Sequence, residues 1–329
     1  MKTVVLKLED KAIGDFEKIG TYRFNLITNL TVGNIGIIRI NAIMGDVSEL
    51  SISGGDFYSD EFANDFLGPS YLLKKGGNTL YYKLTDQNNP YIEVNNIHNI
   101  NGLGYYSYMF GDKEDMPGIL MQTSDLHKFI DLNEVCFSKS QLRGQLYDIP
   151  ESVNNLRLEY RLIYGTPKDI KSKYFTHLRL MQSNITGNYR DFEGKTIKTF
   201  ISEMPLVTGD VASFTRVKEL GTFSIGNYVN AEIIAEGYPV TCSLSEDVFF
   251  DNLDLYCTKH VHMSRDTLLR TLRSLSKTKW GNKPSNASNQ VYLTTTMGES
   301  EYNDDSELQL AASSLRDVLN GGLKIYFVV

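Results

Sequence analysis

The chain has 329 residues, 41% of them hydrophobic and 22% charged, a balance that is typical of folded proteins and excludes wholesale disorder. Its net charge of −7 argues against a protein that coats nucleic acid, because that function needs a broad basic surface. Three cysteines are too few for a disulfide framework, and no apolar stretch reaches the roughly 18 residues of a membrane-spanning helix, so we expect no membrane insertion.

The amino-terminal region predicts short strands and no secretory leader. Its first apolar stretch, Val4–Leu6, is followed almost at once by Glu9 and Asp10, which leaves no room for the apolar core of an export signal. We therefore expect the protein to be made and kept in a cytoplasm. The spacing of Ile35, Ile38 and Ile40 matches a repeat found further along, so residues 1–50 are expected to hold N-terminal strands and a first repeat-like coil.

Residues 51–118 are rich in tyrosine. Eight of the 20 tyrosines lie between Tyr58 and Tyr108, separated by Gly- and Pro-rich turns. The segment is predicted to be a β lobe or a set of degenerate coils. A tyrosine ring can pack while its hydroxyl stays in water, so we regard three tyrosines as candidate binding residues, with a tyrosine-rich β core as the alternative. These candidates are Tyr105, Tyr106 and Tyr108.

The pattern apolar-x-x-apolar-x-apolar recurs through residues 119–262. Its copies are Leu132/Val135/Phe137, Val153/Leu156/Leu158, Phe175/Leu178/Leu180, Leu220/Phe223/Ile225 and Phe250/Leu253/Leu255, with a degenerate copy at Ile197/Phe200. The middle residue advances by 21, 22, 22, 23 and 30 positions, which is a near-constant phase. We expect the middle residues to face inward as the core of adjacent parallel strands. This predicted repeat core is Val135, Leu156, Leu178, Phe200, Phe223 and Leu253.

Four units end in an apolar residue, one spacer and a glycine, at Gly144, Gly165, Gly187 and Gly209. Glycine permits a tight turn that other residues resist. Together with the strand pattern, this ending resembles the leucine-rich repeat, although the asparagine usual after the strand is replaced, for example by Arg161. The resemblance implies a solenoid over 119–262.

The carboxy-terminal residues predict a different pattern. Ser264 is a candidate helix cap before a leucine-rich segment, a strand follows at Val291–Thr294, and a second helix begins at Ser306. Residues 263–329 are therefore expected to form a helix–strand–helix–strand cap. The predicted fold class is an α/β solenoid of leucine-rich-repeat-like parallel β coils, with a β-rich N-terminal lobe and an α/β C-terminal cap.

The outward positions of the predicted strands give the main candidate site. Arg157 and Arg179 fall at equivalent positions, and His177 lies beside them, so the three should form a basic patch on the sheet surface. The alternative is a solvated surface on which Glu159 and Glu203 act as counterions.

The sequence gives weaker support for a metal site, a phosphate-binding loop or a pair of catalytic carboxylates. Cys257, His260 and His262 have spacings compatible with one metal ion but lack a fourth ligand nearby, so we predict no metal. Gly194 lacks the earlier glycine of a phosphate-binding loop, since Tyr189 stands in its place, and we predict no cofactor. An acidic cluster in and before the tyrosine-rich segment could serve glycoside hydrolysis, but its spacing selects no pair of carboxylates.

The unit endings Asn-Ile-Thr-Gly-Asn and Val-Thr-Gly-Asp-Val resemble those in virion proteins of phages that infect Bacteroidetes. The resemblance implies a non-enzymatic tail or head fibre, spike or decoration subunit, made in the host cytoplasm and located in the virion. Its partners would be other virion proteins, a copy of itself, or a host surface receptor or glycan, and not nucleic acid. The alternatives are an intracellular bacterial leucine-rich-repeat adaptor and a glycan-degrading tail enzyme.

Overall fold

The computed structural model describes residues 20–26, 35–42, 49–59, 65–86, 88, 90–105, 119–137, 142–159, 162–181, 184–204, 206–210, 222–225, 240–241, 253–281 and 289–328. The chain divides into two compact units, residues 1–143 and 144–329. No helix in these described stretches is long and apolar enough to cross a membrane.

Strands predominate in the described residues of the first unit. They are β1 (Tyr22–Leu26), β2 (Ile35–Ala42), β3 (Glu49–Ser53), β4 (Gly55–Tyr58), β5 (Phe66–Gly68), β6 (Ser70–Leu72), β7 (Gly76–Leu84), β8 (Tyr91–Val94), β9 (Ile100–Tyr105), β10 (Ile119–Gln122) and β11 (Glu134–Phe137). Short 3-10 helices lie at Ile97–Asn99 and Thr123–Lys128, and β12 (Leu142–Gln145) crosses the division between the units.

Most pairs in the first unit are antiparallel. Strand β2 lies between β7 and β9 and pairs antiparallel with both, with Ile38 opposite Leu80 and Ile40 opposite Leu103. The predicted first coil at Ile35–Ile40 is therefore wrong. Strands β2 and β7 have eight and nine residues, which gives a long two-stranded ladder instead of the short parallel steps of a coil.

In its described residues, the second unit contains short strands, 3-10 turns and three α-helices. Its strands are β13 (Asn155–Glu159), β14 (Ile163–Gly165), β15 (Tyr174–Phe175), β16 (His177–Met181), β17 (Asn184–Ile185), β18 (Gly187–Asn188), β19 (Thr196–Ile197), β20 (Thr199–Glu203), β21 (Val207–Asp210), β22 (Thr222–Ile225), β23 (Val240–Thr241), β24 (Leu255–Met263), β25 (Gln290–Thr295) and β26 (Leu323–Phe327). The helices are α1 (Arg265–Lys277), α2 (Glu299–Asp304) and α3 (Ser306–Leu319), and the 3-10 turns are Leu146–Asp148, Pro167–Asp169 and Tyr189–Phe192.

The main sheet of the second unit is parallel throughout, in the order β13-β16-β20-β22-β24-β25-β26. Leu156 pairs with Leu178, Leu178 with Phe200 and Phe200 with Phe223. All four are at most 1% exposed, so this part of the predicted core ladder is confirmed.

The last predicted member of the ladder is misplaced. Tyr256, and not Leu253, pairs with Phe223. Leu253 is fully buried, but it forms a bridge with Trp280 outside the ladder. The sequence interval from Phe223 to the next residue of the ladder is therefore three residues longer than the sequence pattern indicated.

Turns between strands depend on glycine and aspartate. Gly144, Gly165 and Gly187 have φ between 121° and 131°, a region in which a side chain is strained. After two of these glycines an aspartate caps the 3-10 turn, and the Asp169 carboxylate accepts hydrogen bonds from the Thr166 amide and hydroxyl at 2.7 and 2.9 Å. Each of these two turns then ends in a buried apolar residue, Ile170 or Phe192.

The predicted fold class is wrong in its overall form. The chain is dominated by strands, its largest sheet mixes antiparallel and parallel pairs, and it has few helices, so it is not an α/β solenoid. Short 3-10 turns with aspartate caps connect the repeated strands. In the final segment the predicted helix–strand–helix–strand order is confirmed, with Ser264 at the start of α1, and β25 and β26 extend the parallel sheet.

Candidate functional site

The main sheet of the second unit carries a row of side chains on the face opposite the buried ladder, and two of them, Ser224 and Cys257, are fully buried. Alternate residues of a strand point to opposite faces of the sheet. The residue that follows each member of the buried ladder therefore points away from that ladder. We call this row of Cα partners the outer row, and its side of the sheet the outer face. The outer row is Arg157, Arg179, Ile201, Ser224, Cys257, Tyr292 and Lys324.

A groove of about 200 Å³ opens at the first end of the outer row. Its lining residues are Arg157, His177, Leu178, Arg179, Thr199 and Ile201. The structure therefore brings together all three residues of the predicted basic patch, and the in-register pairing of Arg157 with Arg179 is confirmed.

Neighbouring side chains orient both guanidinium groups of this groove. Arg157 Nε donates to Asn155 Oδ1 at 3.2 Å, and Arg179 Nε points to Met181 Sδ at 2.8 Å. Two guanidinium groups on strands about 4.8 Å apart can bind a planar carboxylate with paired hydrogen bonds.

A second basic cluster lies at the other end of the outer face. Lys259 is only 2% exposed, and its Nζ lies 4.7 Å from the centre of the Tyr326 ring. Lys324 is exposed, and its Nζ lies 5.6 Å from the centre of the Tyr292 ring. The structure shows no salt bridge from either lysine to the carboxylates that it describes.

Burial controls the charges in this second cluster. Desolvation, and then the charge of Lys324, lower the pKa of Lys259, while the nearby Cys257 acts in the opposite direction. Burial raises the pKa of the Cys257 thiol and also that of the Tyr326 phenol. Both groups are therefore neutral at pH 7, and neither supplies a negative charge for the lysines.

The other residues considered from the sequence are the candidate tyrosines and the possible metal ligands. Tyr105 belongs to β9 of the first unit, where its backbone pairs with Phe137, and Tyr106 and Tyr108 lie outside the described residues. Among the residues that the structure describes, no group of three or more potential ligands could hold a metal ion. Cys257 and His262 share β24, whereas the side chain of His260 lies outside that description.

Sequence reasoning missed Lys259 and Lys324. The pairing of β24 with β25 shifts between Cys257 and His262, so the fixed phase of the repeat does not carry over to these strands. A usable signal was present, because Lys259 stands two residues after Cys257 and Lys324 begins an alternating strand pattern.

The acidic cluster stays unassembled in the described part of the chain. Glu49 lies on β3 and Asp56 on β4, and the Asp65 carboxylate accepts a hydrogen bond from the Ser59 hydroxyl at 2.8 Å. Asp46, Asp60 and Glu61 lie outside the described residues. The outer face of the second unit therefore remains the candidate site.

The chain matches no protein-family model, no curated protein and no solved structure. Its proposed function must therefore be argued from its own residues.

Proposed function

We propose that this protein is a non-enzymatic component of a phage particle that binds another virion protein, or a second copy of itself, through the outer face. The observation that carries the proposal is the groove at the first end of the outer row, where parallel strands in register hold Arg157, Arg179 and Ile201 side by side. Rigid strands present this groove in a pre-organised form, which favours persistent binding.

The chemistry of the groove supports binding. The planar guanidinium groups of Arg157 and Arg179 suit the binding of anions. Arginine and tyrosine are also enriched at the centres of protein interfaces, because their flat groups bury much area. Tyr292 belongs to the same row as the two arginines.

The assignment to a phage particle is supported by the sequence of the repeat endings. Asn184–Asn188 and Val207–Val211 resemble the endings in virion proteins of phages that infect Bacteroidetes. The first ending contains β17 and β18, and the described part of the second forms β21, which pairs parallel with β18. The residues that carry this resemblance thus lie where backbone pairing joins successive repeat units.

Mass spectrometry of purified phage particles tests the proposal. We expect the protein in the particle at a fixed copy number, together with a stable complex when the purified chain is mixed with proteins released from disassembled particles. Absence from the particle together with a monomer in solution would support the intracellular adaptor instead. Degradation of host capsule by the purified chain would support the glycan-degrading tail enzyme.

A variant that fills the groove tests whether this function depends on the outer face. Thr199 is half-buried and lines the groove, so Thr199→Trp should fill the groove without changing charge. We expect this variant to lose particle-protein capture, whereas the exposed turn variant Lys171→Trp should retain it. Equal capture by both variants would contradict binding through this face.

A further inference from the structure

Strand β26 lies at the open end of the main sheet of the second unit. It pairs parallel with β25 on one side, and among the described residues no strand pairs with its other side. The other strands that end a sheet in the described stretches have two or three residues, whereas β26 has five. It is therefore the longest backbone edge that these residues leave unpaired, and such an edge favours the addition of another strand.

The pairing with β25 determines which backbone groups of β26 point to the open side. The Gly322 carbonyl oxygen accepts from the Val291 amide at 2.8 Å, and the Val328 amide donates to the Thr295 carbonyl oxygen at 3.0 Å. Consecutive residues of a parallel strand direct their backbone groups to alternate sides, so the even-numbered residues from Gly322 to Val328 point to β25. The groups that point to the open side are the amides and carbonyls of Leu323, Ile325 and Phe327.

The side chains of β26 do little to protect this open edge. Ile325, Tyr326 and Phe327 are half-buried. The one charged residue of the strand is Lys324, and its Nζ lies 5.6 Å from the centre of the Tyr292 ring, which belongs to β25 and not to the open side. Protected edges commonly carry several charges, a proline or a bulge, whereas β26 contains no proline and pairs with β25 without a register shift.

The open edge of β26 is complementary to itself. In an antiparallel pair, two residues that exchange both of their backbone hydrogen bonds lie opposite each other. When Ile325 lies opposite Ile325 of a second copy, Leu323 lies opposite Phe327, and the open amides and carbonyls of both strands all find partners. The contact is then isologous, because a twofold axis passes between the two Ile325 residues.

The same register also avoids a clash of charges. Lys324 then lies opposite Tyr326 of the second copy, so the two lysines do not face each other. A shift of the pairing by two residues towards the start of the strand would place Lys324 opposite Lys324, and like charges directly opposite each other are destabilising. Both the backbone pattern and the position of the lysine therefore favour the register centred on Ile325.

From these observations we infer that the protein pairs with a second copy of itself, edge to edge, through antiparallel β26 strands centred on Ile325. The inference goes beyond the proposed function and does not depend on it, because the groove lies on β13, β16 and β20, at the other end of the parallel sheet. Since only the five residues of β26 take part in each copy, the contact is small and the dimer should dissociate on dilution.

Sedimentation equilibrium of the full chain over a wide concentration range tests the pairing. We expect a reversible equilibrium between monomer and dimer. Ile325→Pro should weaken the dimer by at least about ten-fold, because proline removes the amide at the twofold axis and places its ring on the open side. The bonds to β25 come from the neighbouring residues, so this variant should keep the circular dichroism spectrum of the wild type.

Ile325→Val is the matched control for the proline variant. It keeps the amide and should form dimers as the wild type does. A wild-type chain that stays monomeric up to its solubility limit would overturn the inference. The same holds for a folded Ile325→Pro chain that forms dimers as tightly as the wild type.

Mild oxidation of cysteine variants tests the register and does not depend on how the strand tolerates proline. Ile325→Cys places two thiols opposite each other with Cα atoms about 5.5 Å apart, which is within the range of a disulfide. Lys324→Cys places them two positions out of register, so its cross-linking should be at least about ten-fold slower. The wild-type chain, with its three cysteines, gives the background. Equal or faster cross-linking of Lys324→Cys, or none above background in Ile325→Cys, would overturn the pairing.

The groove variant distinguishes this inference from the proposed function. Thr199→Trp should leave the dimer intact, because the groove and β26 lie at opposite ends of the parallel sheet. A dimer that is lost in Thr199→Trp and kept in Ile325→Pro would show that copies meet at the groove, and it would overturn the edge contact. Unchanged capture of particle proteins by Thr199→Trp, with the dimer still lost in Ile325→Pro, would reject the proposed function and support the edge contact.

Discussion

The ring of Phe200 stacks on the ring of Phe223, with centroids 5.7 Å apart and planes inclined by 21°. Phe223 stacks in turn on Tyr256, with centroids 5.2 Å apart. The three rings are the inward partners of successive parallel strands and are at most 1% exposed. This stack fixes the register of the sheet, and the register determines which side chains form the outer row.

Truncation of the central ring tests this relationship. Phe223→Ala should lower the free energy of unfolding by about 3–5 kcal/mol, because it removes a buried aromatic side chain and leaves a cavity between two strands. Chemical denaturation measures the change, with the outward Thr222→Ala as the control. A loss below about 1 kcal/mol would contradict a tightly packed stack.

The sequence predicted the ladder where repeats keep a constant phase and failed where they do not. Leu156, Leu178 and Phe200 lie 22 residues apart in sequence, and each pairs with the next. Between Phe223 and Tyr256 the interval is longer, and no apolar periodicity marks the correct residue. Arg157 and Arg179 were predictable from the repeat because they belong to the constant-phase part, whereas Lys324 lies outside the repeat and only its own strand pattern could have indicated it.

The antiparallel strands of the first unit could not be predicted in the same way. The repeat template is short, and Ile35, Ile38 and Ile40 satisfy it within a strand that pairs with distant residues. Pairing direction depends on long-range contacts and not on local spacing. The sequence therefore predicted strands there but assigned them the wrong neighbours.

A charge within the ladder should be more damaging than a cavity. Leu178→Asp would bury an unpaired carboxylate between Leu156 and Phe200, and we expect it to prevent folding or soluble expression. Circular dichroism of the purified variant measures the loss of strand content. A folded Leu178→Asp protein with a native-like spectrum would contradict the assignment of this residue to the core.

Lys195 is expected to link successive turns. Its Nζ donates hydrogen bonds to the carbonyl oxygens of Ile170 and Ser172, at 2.5 and 3.1 Å. Lys195→Met removes both bonds and should lower the free energy of unfolding by about 1–3 kcal/mol. Lys168→Met, at an exposed turn position, is the control for the loss of charge. Equal stability of the two variants would show that the carbonyl contacts contribute nothing.

The carboxy-terminal strands should be essential for solubility. Removal of residues 264–329 would leave β24 without its partner β25 and expose a row of unpaired backbone groups. We expect the truncated chain to aggregate, as measured by size-exclusion chromatography with light scattering. A soluble monomer would show that the segment is an independent module.

Acid should loosen the contact between helices α1 and α3. Arg265 lies 2.7 Å from Asp305 and 2.9 Å from Glu307, and hydrogen bonds from Arg265 hold the pKa of both carboxyl groups below their ordinary values. An acidic group whose pKa is lower in the folded state than in the unfolded state stabilises the fold at pH values above its unfolded-state pKa. This stabilisation is lost as the pH falls through the pKa of the folded state.

Thermal melts across the acid range measure this effect. The contribution of the network should begin to fall below about pH 4.5, the ordinary value for glutamate, and continue to fall through the lower pKa values of the folded state. Arg265→Met should make the melting temperature less dependent on pH in this window. An unchanged pH dependence in the variant would contradict a role for the network.

The most direct test of the central claim is cross-linking of assembled particles with an amine-reactive reagent, followed by mass spectrometry. The outer face carries Lys324, whereas Lys168 and Lys171 lie in exposed turns. The account predicts that Lys324 is joined to a residue of another chain in the particle, and that Arg179→Gln or Thr199→Trp reduces this product. Links to other chains from Lys168 and Lys171 alone, with Lys324 joined to none, would contradict binding through the outer face.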